Sequence, residues 1–401
     1  MISYEEALET ILASVNRLEK TSVSLDECTG WVLAEDVPAA SNLPPYDNSA
    51  MDGYAVVGRS VAKAGEEDPA VLAYLGDVDA GGGDRIEVRE GEAARIGTGA
   101  KVPRGADTVV MVEDTEFREE NVYIFREYAT GSHIRMAGED YVKGEEGLRA
   151  GTLIRPAEVC FLAANGVTDV PVYRRPKVGI LPTGAEVLPS GEPVSGTKIR
   201  DANGPTLMSL VRKYGGSGHH LGIGPDDEEK LIDLIGENAP NHDALITCGG
   251  ISKGHHDHVK DALVKAGTRI EFWTTAIRPG KPFGFGKLGD TLIFALPGNP
   301  VSSFVTFEIY CQPALTKAMG CTPPYREFFQ AKLLEDFPKK PGFTFFVRGN
   351  IEGDYPDYAF RPSKKQGSGM ISSLVKNSVI MIAPAERDLI GAGESVEVFR
   401  I

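Results

Sequence analysis

Glycine, hydroxyl and carboxylate residues follow directly after three apolar, strand-like runs in the second half of the chain. The run KVGIL (177–181) leads into PTGAEV, DALITC (243–248) into GGISKGHHDHVK, and TLIFAL (291–296) into PGNPVSS. Glycine lets backbone N–H groups approach phosphate oxygens closely, and the N-terminus of a following helix favours negative charge. The segments predict a site for a phosphorylated small molecule, with these candidate residues: Thr183, Gly184, Glu186, Gly249, Gly250, Ser252, Asp257, Pro297, Gly298, Asn299 and Pro300.

Two carboxylates in these segments, Glu186 and Asp257, would repel a phosphate. A bridging Mg²⁺ ion reconciles the two charges, because magnesium prefers oxygen ligands, and we expect Mg²⁺ as a cofactor. Arg278 and Lys281, in IRPGKP (277–282), follow another strand-like run and belong either to a solvated turn or to an anion site. In a chain with a formal charge of −15, an anionic ligand needs such a local basic pocket or metal ions.

Three histidines, His255, His256 and His258, surround Asp257 and raise the question of a transition-metal site. Adjacent side chains rarely converge on one ion, so histidines that are solvent-exposed or contact phosphate are favoured over metal ligands. The segment GKPFGFGK (280–287) is not a P-loop, because its glycine spacing is wrong and leucine follows where serine or threonine is required.

Polar stretches of the N-terminal half could also approach a ligand. Asp52 lies in PPYDNSAMDGYAV (44–56), Thr98 lies between two glycines, and Asp140 ends GSHIRMAGED (131–140). For the first stretch, a cluster of Asx turns that caps a strand is slightly favoured over a catalytic loop. From the residues alone, the chain is expected to be an enzyme that handles a phosphorylated small molecule with Mg²⁺.

The elements that must position these residues alternate between strand and helix from 176 to 320. We expect a helix from Asn203, its N-cap, to Tyr214, a strand over 219–224, a helix over 226–238 and a long helix over 301–319. Alternation of this kind predicts a mostly parallel sheet covered by helices on both faces, with the ligand at the carboxyl ends of the strands.

The remaining regions have a different texture. Residues 3–19 carry an apolar stripe behind a capping box made by Ser3 and Glu6, which predicts an amphipathic helix. We therefore expect a multidomain α/β plus β fold: a three-layer α/β domain with a mostly parallel sheet, an inserted small β domain and a C-terminal β domain. The predicted domains are 1–40 with 140–175, 41–139, 176–320 and 321–401.

Composition excludes several classes of protein. The chain has 401 residues, with 42 Lys plus Arg against 57 Asp plus Glu, which argues against nucleic acid and anionic membranes as partners. The sequence contains neither an apolar run of the ~18–20 residues that a membrane span requires nor a signal peptide at its start. Five scattered cysteines predict reduced thiols, and we expect a cytoplasmic protein.

The motifs together closely resemble the MoeA family of molybdopterin molybdenumtransferases, which includes the gephyrin E domain. The resemblance covers essentially the whole chain, and its motifs occur in the family's order: DNSAMDGYA, RIGTGAKVPRGADTVV, IRMAGED, PTGAEV, the GGIS loop ending at Asp257, RPGKPFGFG, LPGNPVS and QGSG (366–369). It implies an enzyme that takes adenylylated molybdopterin and molybdate, cleaves the pyrophosphate link with Mg²⁺, releases AMP and leaves molybdenum on the dithiolene sulfurs.

The resemblance also implies an elongated homodimer of four-domain subunits, in which the inserted β domain of one subunit completes the site of the other. It implies the upstream adenylyltransferase and downstream molybdoenzymes as protein partners. Carried over position by position, Glu186 and Asp257 would hold Mg²⁺, one of Asp226 and Asp227 would be a further functional acid, and Arg278 and Lys281 would hold molybdate or phosphate. The other matching positions are Asp52, Thr98, Asp140, Pro297, Pro300, Arg348 and Ser368, the last two as further anion contacts.

The chain departs from the family pattern in two places. Lys253 and the three histidines surround the loop aspartate where the family has a small or acidic residue and an aromatic, which predicts tighter binding of phosphate or molybdate at mildly acid pH. Arg278 stands where lysine is usual. Two alternatives remain: the adenylyltransferase, which lacks the two β domains, and a receptor scaffold, which would carry a fused second domain and a long linker.

Overall fold

A computed structural model describes residues 1–78, 85–225, 227–251, 258–323 and 325–401. The chain divides into two compact units, which are described separately. The first comprises Met1–Glu35, Ala150–Val159 and Asp169–Ile401, and the second comprises Asp36–Arg149 and Cys160–Thr168. Across these described ranges, every helix is too short or too polar to cross a bilayer.

The helices of the described residues are α1 (Tyr4–Ala13), α2 (Pro156–Ala164), α3 (Asn203–Lys213), α4 (Glu228–Asn238), α5 (His258–Lys265), α6 (Pro300–Thr306), α7 (Gln312–Ala318) and α8 (Ser372–Val375). The strands are β1 (Lys20–Ser24), β2 (Asn48–Ser49), β3 (Gly53–Val56), β4 (Ala70–Val78), β5 (Glu92–Ile96), β6 (Thr108–Met111), β7 (Thr115–Arg118), β8 (Asn121–Ile124), β9 (Ile134–Arg135), β10 (Asp169–Tyr173), β11 (Lys177–Pro182), β12 (Val187–Leu188), β13 (Ile199–Arg200), β14 (Ser217–His220), β15 (Ala244–Cys248), β16 (Arg269–Phe272), β17 (Ile277–Arg278), β18 (Gly284–Leu288), β19 (Thr291–Leu296), β20 (Phe329–Leu333), β21 (Phe337–Pro338), β22 (Thr344–Glu352), β23 (Ala359–Pro362), β24 (Val379–Ala383), β25 (Leu389–Ile390) and β26 (Ser395–Arg400).

The α/β region of the first unit is built on a six-stranded sheet with the order β14-β11-β15-β19-β18-β16. The first four strands of this order are parallel to one another, and β18 and β16 pair antiparallel at one side. The sheet is therefore mostly parallel, as predicted. Because successive residues of a strand point to opposite faces, each central strand can supply both faces of the core.

Helices cover both faces of this sheet and make three layers. Ile180, Ile246 and Phe294 pack in one buried cluster with residues of α3, α6 and α7. Their chain neighbours Leu181 and Leu245 pack in a second buried cluster, with residues of α4 and α5, and this cluster also includes Ile293. The rigid layered core fixes the positions at which the strands end and the loops begin.

Several element boundaries differ from the sequence predictions. Helix α1 has the predicted capping box of Ser3 and Glu6 but ends at Ala13 instead of residue 19. The backbone carbonyl of Leu12, near the C-terminus of the helix, accepts a hydrogen bond from Lys317 Nζ at 2.7 Å. The chain then turns, and Leu18 N donates to Ala318 O at 2.9 Å. Beyond residue 13 the apolar stripe is not helical, yet Val15 is buried and Leu18 half-buried.

The long helix predicted over 301–319 runs from Pro300 to Ala318 but contains a π-helical segment at Phe307–Cys311. The strand predicted over 219–224 is instead Ser217–His220. It ends there because Gly222 adopts φ 89° and donates its N–H to His220 Nδ1, which turns the chain. These shifts leave the order of elements unchanged.

The C-terminal region forms a closed sheet. Strands β22, β23, β20, β26 and β24 pair in this order, and β24 pairs again with β22. The short strand β17 adds to β22 in parallel, with Ile277 opposite Thr344 and Arg278 opposite Phe345. The segment that carries Arg278 therefore belongs to the C-terminal sheet, and Arg278 lies within a strand where the sequence placed it just after one.

The second unit contains a six-stranded sheet with the order β6-β3-β5-β4-β8-β7. Tyr54 and Val56 pack in one buried cluster, and Ala55 packs in another, on the opposite face. The short strands β2 and β9 pair antiparallel beside it. The sheet lies within the range 41–139 predicted for the inserted small β domain, but the unit also contains residues 36–40, 140–149 and 160–168, which the prediction placed in the first domain.

Candidate functional site

Three loops meet at the carboxyl ends of the parallel strands, as the alternating pattern predicted. Thr183 N donates to Cys248 O at 2.8 Å, which ties the loop after β11 to the end of β15. Gly249 has φ 108°, and a Cβ there would lie 2.4 Å from Thr183 O, so only glycine fits. A Cβ at Gly298 would lie 3.3 Å from Gly249 Cα, so the loop after β19 also lies against this turn.

These loops enclose a cavity of about 380 Å³, called here the loop cavity. Its lining includes many of the predicted residues: Thr183, Glu186, Gly249, Gly250, Pro297, Gly298, Asn299 and Pro300. Glu186 is exposed and forms no ion pair with any residue that the structure describes. Its carboxylate folds over Gly184, where a Cβ would lie 2.9 Å from both carboxylate oxygens.

A second carboxylate in the loop cavity, Asp201, was missed by the sequence analysis. It is 7% exposed and accepts a hydrogen bond from Gly204 N at 2.8 Å, so it caps α3. Its other oxygen lies 3.1 Å from His220 Nε2. Because His220 Nδ1 accepts the N–H of Gly222, the His220 Nε2–H is the donor to Asp201. Asp201 is therefore fixed from two sides.

Asn203 is the first residue of α3, and the prediction that it is the N-cap is wrong. Because Asp201 performs the capping, the Asn203 amide is released to donate from Nδ2 to Gly298 O at 2.8 Å. This bond joins the start of α3 to the loop after β19. Cys248 also lines the cavity, but burial raises the pKa of its thiol to about 12, and it is a buried core residue.

Other predicted residues lie away from this cavity or outside the description. Asp227 is the N-cap of α4, accepts from Lys230 N at 3.2 Å and is absent from the cavity lining. The hydrogen bond from this N–H and the ion pair with Lys230 hold the pKa of Asp227 below its usual value. Outside the described residues lie Asp226, Ser252, Lys253, His255, His256 and Asp257.

A second cavity of about 380 Å³, the cationic cavity, adjoins the first, because Pro282, Pro297 and Asn299 line both. It is lined by three positive side chains, Arg278, Lys281 and Arg348, which were predicted as anion contacts. Hydroxyl and amide groups from Ser302, Ser368 and Gln366 also line it, together with aromatic and proline residues. None of the acidic residues that the structure describes lines this cavity.

Arg348 is the most unusual member of the cationic cavity, because its guanidinium is buried and no described acidic residue forms an ion pair with it. It is 1% exposed, and its side chain donates only to neutral acceptors, Ser373 Oγ and backbone carbonyls, at 3.3–3.5 Å. These contacts are longer than ordinary hydrogen bonds. Burial lowers the pKa of Arg348 to about 10. A buried cation in this setting would be stabilised by a bound anion.

Aromatic rings hold the two other cations in place. The Arg278 guanidinium lies over the Phe343 ring at 4.9 Å, and Lys281 Nζ lies 5.8 Å from the same ring. Gly280, between them, has φ 111°, and a Cβ there would lie 2.5 Å from Thr306 Cγ2. The tight turn at Gly280 therefore brings Arg278 and Lys281 to the same cavity, with one ring beneath both.

The junction of the two cavities is a direct contact between the α/β and C-terminal regions of the first unit. Asn299 Nδ2 donates to Ser368 Oγ at 3.1 Å, and Val301 N donates to Ser368 O at 3.1 Å. Gln366 holds the same segment by accepting from Arg348 N and donating to Arg348 O. The predicted residues Asn299, Arg348 and Ser368 thus belong to one connected arrangement.

The second unit carries the remaining predicted residues. Asp52 Oδ1 accepts from both Thr98 N, at 2.6 Å, and Thr98 Oγ1, at 2.8 Å. These two bonds, first the N–H and then the hydroxyl, hold the pKa of Asp52 below its usual value. Asp140 is exposed, in the turn where its N–H donates to Leu43 O at 2.9 Å. The structure thus brings Asp52 and Thr98 together, as a carboxylate and its two donors.

A metal ion has a limited donor set here. Among the described residues there is no cluster of three or more His, Cys, Asp or Glu side chains. Mg²⁺ is usually bound by one or two carboxylates together with substrate phosphates and water. The unpaired Glu186 carboxylate in the loop cavity fits that mode of binding, whereas a transition-metal cage is not formed by the described residues.

Comparison with known families assigns three ranges that together cover most of the chain. Residues 2–166 match the model of the MoeA N-terminal region (domain I and II), residues 179–317 match a probable molybdopterin binding domain, and residues 330–401 match the MoeA C-terminal region (domain IV).

Individual relatives agree with the family models. A Bacillus subtilis protein named molybdopterin molybdenumtransferase is 33% identical over 404 residues, covering 100% of this chain and 94% of the relative. A Mycobacterium tuberculosis H37Rv protein named molybdopterin molybdenumtransferase 2 is 35% identical over 357 residues, with 88% of each chain covered. A crystal structure of a molybdopterin biosynthesis MoeA protein from Pyrococcus horikoshii OT3 superposes with a TM-score of 0.88 at 32% identity, with 100% of both chains covered.

Proposed function

The chain belongs to the MoeA family of molybdopterin molybdenumtransferases, and on that premise we propose that it inserts molybdenum from molybdate into adenylylated molybdopterin and releases AMP. The reaction breaks the pyrophosphate link of the adenylylated substrate, and molybdenum is left on the dithiolene sulfurs. The two adjoining cavities support a division of this work, with the oxyanion in one and the organic substrate in the other.

The single observation that carries the proposal is the cationic cavity. Molybdate is a tetrahedral dianion, and charge-assisted donors are the groups that bind such an ion. Arg348 is buried without an acidic partner among the described residues, and Arg278 and Lys281 line the same space. Ser368 and Ser302 add hydroxyl donors. A cavity of this composition favours a small oxyanion over a neutral ligand.

The loop cavity would hold the pyrophosphate link of the substrate. Its turns at Gly249, Gly250 and Gly298 let a phosphate come close to backbone. Glu186 would be a ligand of Mg²⁺, and Asp257, the second proposed ligand, lies outside the described residues. When bound, Mg²⁺ neutralises phosphate charge and so favours departure of AMP. Asp201, fixed by His220 and by the start of α3, keeps the wall of this cavity in place.

The proposed homodimer gives the Asp52–Thr98 pair a role. We infer that this carboxylate, held in its charged form by Thr98, completes the active site of the partner subunit. A mixing experiment tests the inference: Asp52→Asn and Lys281→Ala are each expected to be inactive. When the two variants are dissociated and mixed, half of the dimers that form would be heterodimers, and each heterodimer would have one intact site of two. The mixture would therefore regain about a quarter of wild-type activity. No recovery on mixing would place both residues in one subunit's own site.

Molybdate-dependent AMP release from adenylylated molybdopterin is the direct test of the function. The wild-type protein is expected to release AMP only when both molybdate and Mg²⁺ are present. An alternative assay supplies ATP, Mg²⁺ and molybdopterin. The proposal would be contradicted if the protein formed adenylylated molybdopterin in this second assay and released no AMP in the molybdate assay. That result would favour the adenylyltransferase reaction.

A further inference from the structure

A third cavity, of about 460 Å³, lies in the C-terminal region and shares no lining residue with the two cavities of the candidate site. It is called here the lysine cavity, after Lys364, Lys365 and Lys376. Arg361 also lines it, and of the lining residues that the structure describes only Glu335 is acidic. The excess of positive charge is notable in a chain whose formal charge is −15.

The three lysines have no counter-charge of their own. None of them forms an ion pair with a residue in the part of the chain that the structure describes. Arg361, in contrast, is paired with Glu352, at 2.5 and 3.1 Å, and lies 3.9 Å from Glu335. The acidic side chains near this cavity are thus directed to the arginine, and the ammonium groups remain available to a ligand.

Neutral polar side chains hold the walls of the lysine cavity. Asn350 Nδ2 donates to Lys376 O at 3.0 Å, and Asn350 Oδ1 accepts from Ser378 N at 3.1 Å. Asn377 Nδ2 donates to Ser373 O at 2.6 Å. The backbone that carries Lys376 is therefore fixed before any ligand arrives, which lowers the entropic cost of binding.

We propose that the lysine cavity binds a phosphate group, either as free phosphate or as the phosphomonoester of a small molecule. Lysine ammonium groups are compact point charges that suit a phosphate dianion, and three of them surround a concave space instead of a flat surface. The net negative charge of the chain disfavours a nucleic acid as the source of the phosphate. This proposal does not depend on the proposed function.

Calorimetric titration with inorganic phosphate and with glycerol 3-phosphate tests the proposal. The Arg278→Ser/Lys281→Ser variant is used as background, because it removes cations of the candidate site, and phosphate binding is expected to persist in it. Adding Lys364→Ser/Lys365→Ser should weaken that binding at least about tenfold, since charged hydrogen bonds are lost. Tighter binding of glycerol 3-phosphate than of phosphate would identify a phosphomonoester as the ligand, and equal binding would identify free phosphate.

A matched control separates a site from a general charge effect. Lys332→Ser/Lys340→Ser removes two exposed lysines of the same region that do not line the cavity, so it changes the net charge equally. It should leave phosphate affinity unchanged. Equal losses in the two double variants, or absence of phosphate binding in the background variant, would overturn the proposal. The background lacks Arg278 and Lys281 but keeps Arg348 and the loop cavity, so the lysine cavity is judged only by the loss that Lys364→Ser/Lys365→Ser adds. That loss is measured without AMP release, so failure here is distinguishable from failure of the proposed function.

Discussion

The loop cavity and the cationic cavity adjoin each other but have opposite charge. The described charged residues that line the loop cavity are Glu186, Asp201 and Arg200, a net negative set, whereas those of the cationic cavity are Arg278, Lys281 and Arg348. Each cavity has one buried charged residue, Asp201 at 7% exposure in the loop cavity and Arg348 at 1% in the cationic cavity. The loop cavity is suited to a metal cation or to hydrogen-bond donors, and the cationic cavity is suited to an anion.

The contrast shows how one enzyme can bring together two reactants that repel each other. An oxyanion and a pyrophosphate are both negative, so a single basic pocket would bind either one in place of the other. Separate cavities that share Pro297 and Asn299 keep the reactants distinct and adjacent. The following predictions test whether the two cavities differ in function as they differ in charge.

Removing two cations of the cationic cavity is expected to have the largest effect. Arg278→Ala/Lys281→Ala should lower molybdate affinity by about 100-fold or more, because each charge-assisted hydrogen bond contributes about 1.5–3 kcal/mol. Titration calorimetry with molybdate measures this loss. Lys332→Ala/Lys340→Ala is the matched control and should bind as wild type does. Retained affinity in the first variant would show that these residues do not contact the anion.

Neutralising Glu186 should affect the other cavity. Glu186→Gln is expected to raise the Mg²⁺ concentration that half-maximal AMP release requires by about 10- to 100-fold. The size is taken by analogy with the loss of groups that support metal ligands. Molybdate affinity should stay at the wild-type value, because Glu186 does not line the cationic cavity. A Mg²⁺ titration of the rate measures the first effect and calorimetry the second. An equal loss of molybdate affinity would contradict the separation of the cavities.

Arg348 should reveal a conflict between binding and stability. Burying a charge that has no acidic partner among the described residues is costly, and a hydrophobic residue of similar size removes that cost. Arg348→Met is therefore expected to unfold at a higher temperature than wild type without molybdate. Molybdate should raise the unfolding temperature of wild type but not that of the variant, and Arg348→Lys should keep part of the response. A variant that is less stable and still stabilised by molybdate would refute this role.

The smallest expected effect lies in the second unit. Thr98→Val removes the hydroxyl donor to Asp52 but keeps the N–H donor, so the pKa of Asp52 should rise part of the way to its usual value. The pKa of Asp52 is lower in the folded protein than in the unfolded chain. The two bonds therefore stabilise the fold at a pH above the unfolded-state pKa, and this stabilisation is lost as the pH falls through the folded-state pKa. Carbon-13 NMR titration of Asp52 measures the shift. Thr98→Ser keeps the hydroxyl and should titrate as wild type does.

Much of the fold was predictable because it depends on local patterns. The runs at 177–181, 243–248 and 291–296 alternate with amphipathic helices, and the mostly parallel sheet follows from that alternation. The capping box of α1 was visible in Ser3 and Glu6. The end of α1 was not, because it depends on Lys317, which is about 300 positions away along the chain.

The candidate site was predictable where glycine-bearing loops follow strands, and less so where distant residues act together. Asp201 could have been suspected from its position three residues before Gly204 at the start of a helix, a capping arrangement. Its second partner, His220, lies on another strand and leaves no local signal. The burial of Arg348 away from every described carboxylate likewise arises only from tertiary packing.

The most direct measurement of the central claim is the anomalous diffraction of molybdenum in crystals of the protein grown with molybdate and AMP. The account predicts a molybdenum peak in the cationic cavity, in contact with Arg278, Lys281 and Arg348, and the AMP phosphate in the loop cavity beside Thr183 and Gly249. A molybdenum peak in the loop cavity, or AMP in the cationic cavity, would contradict it.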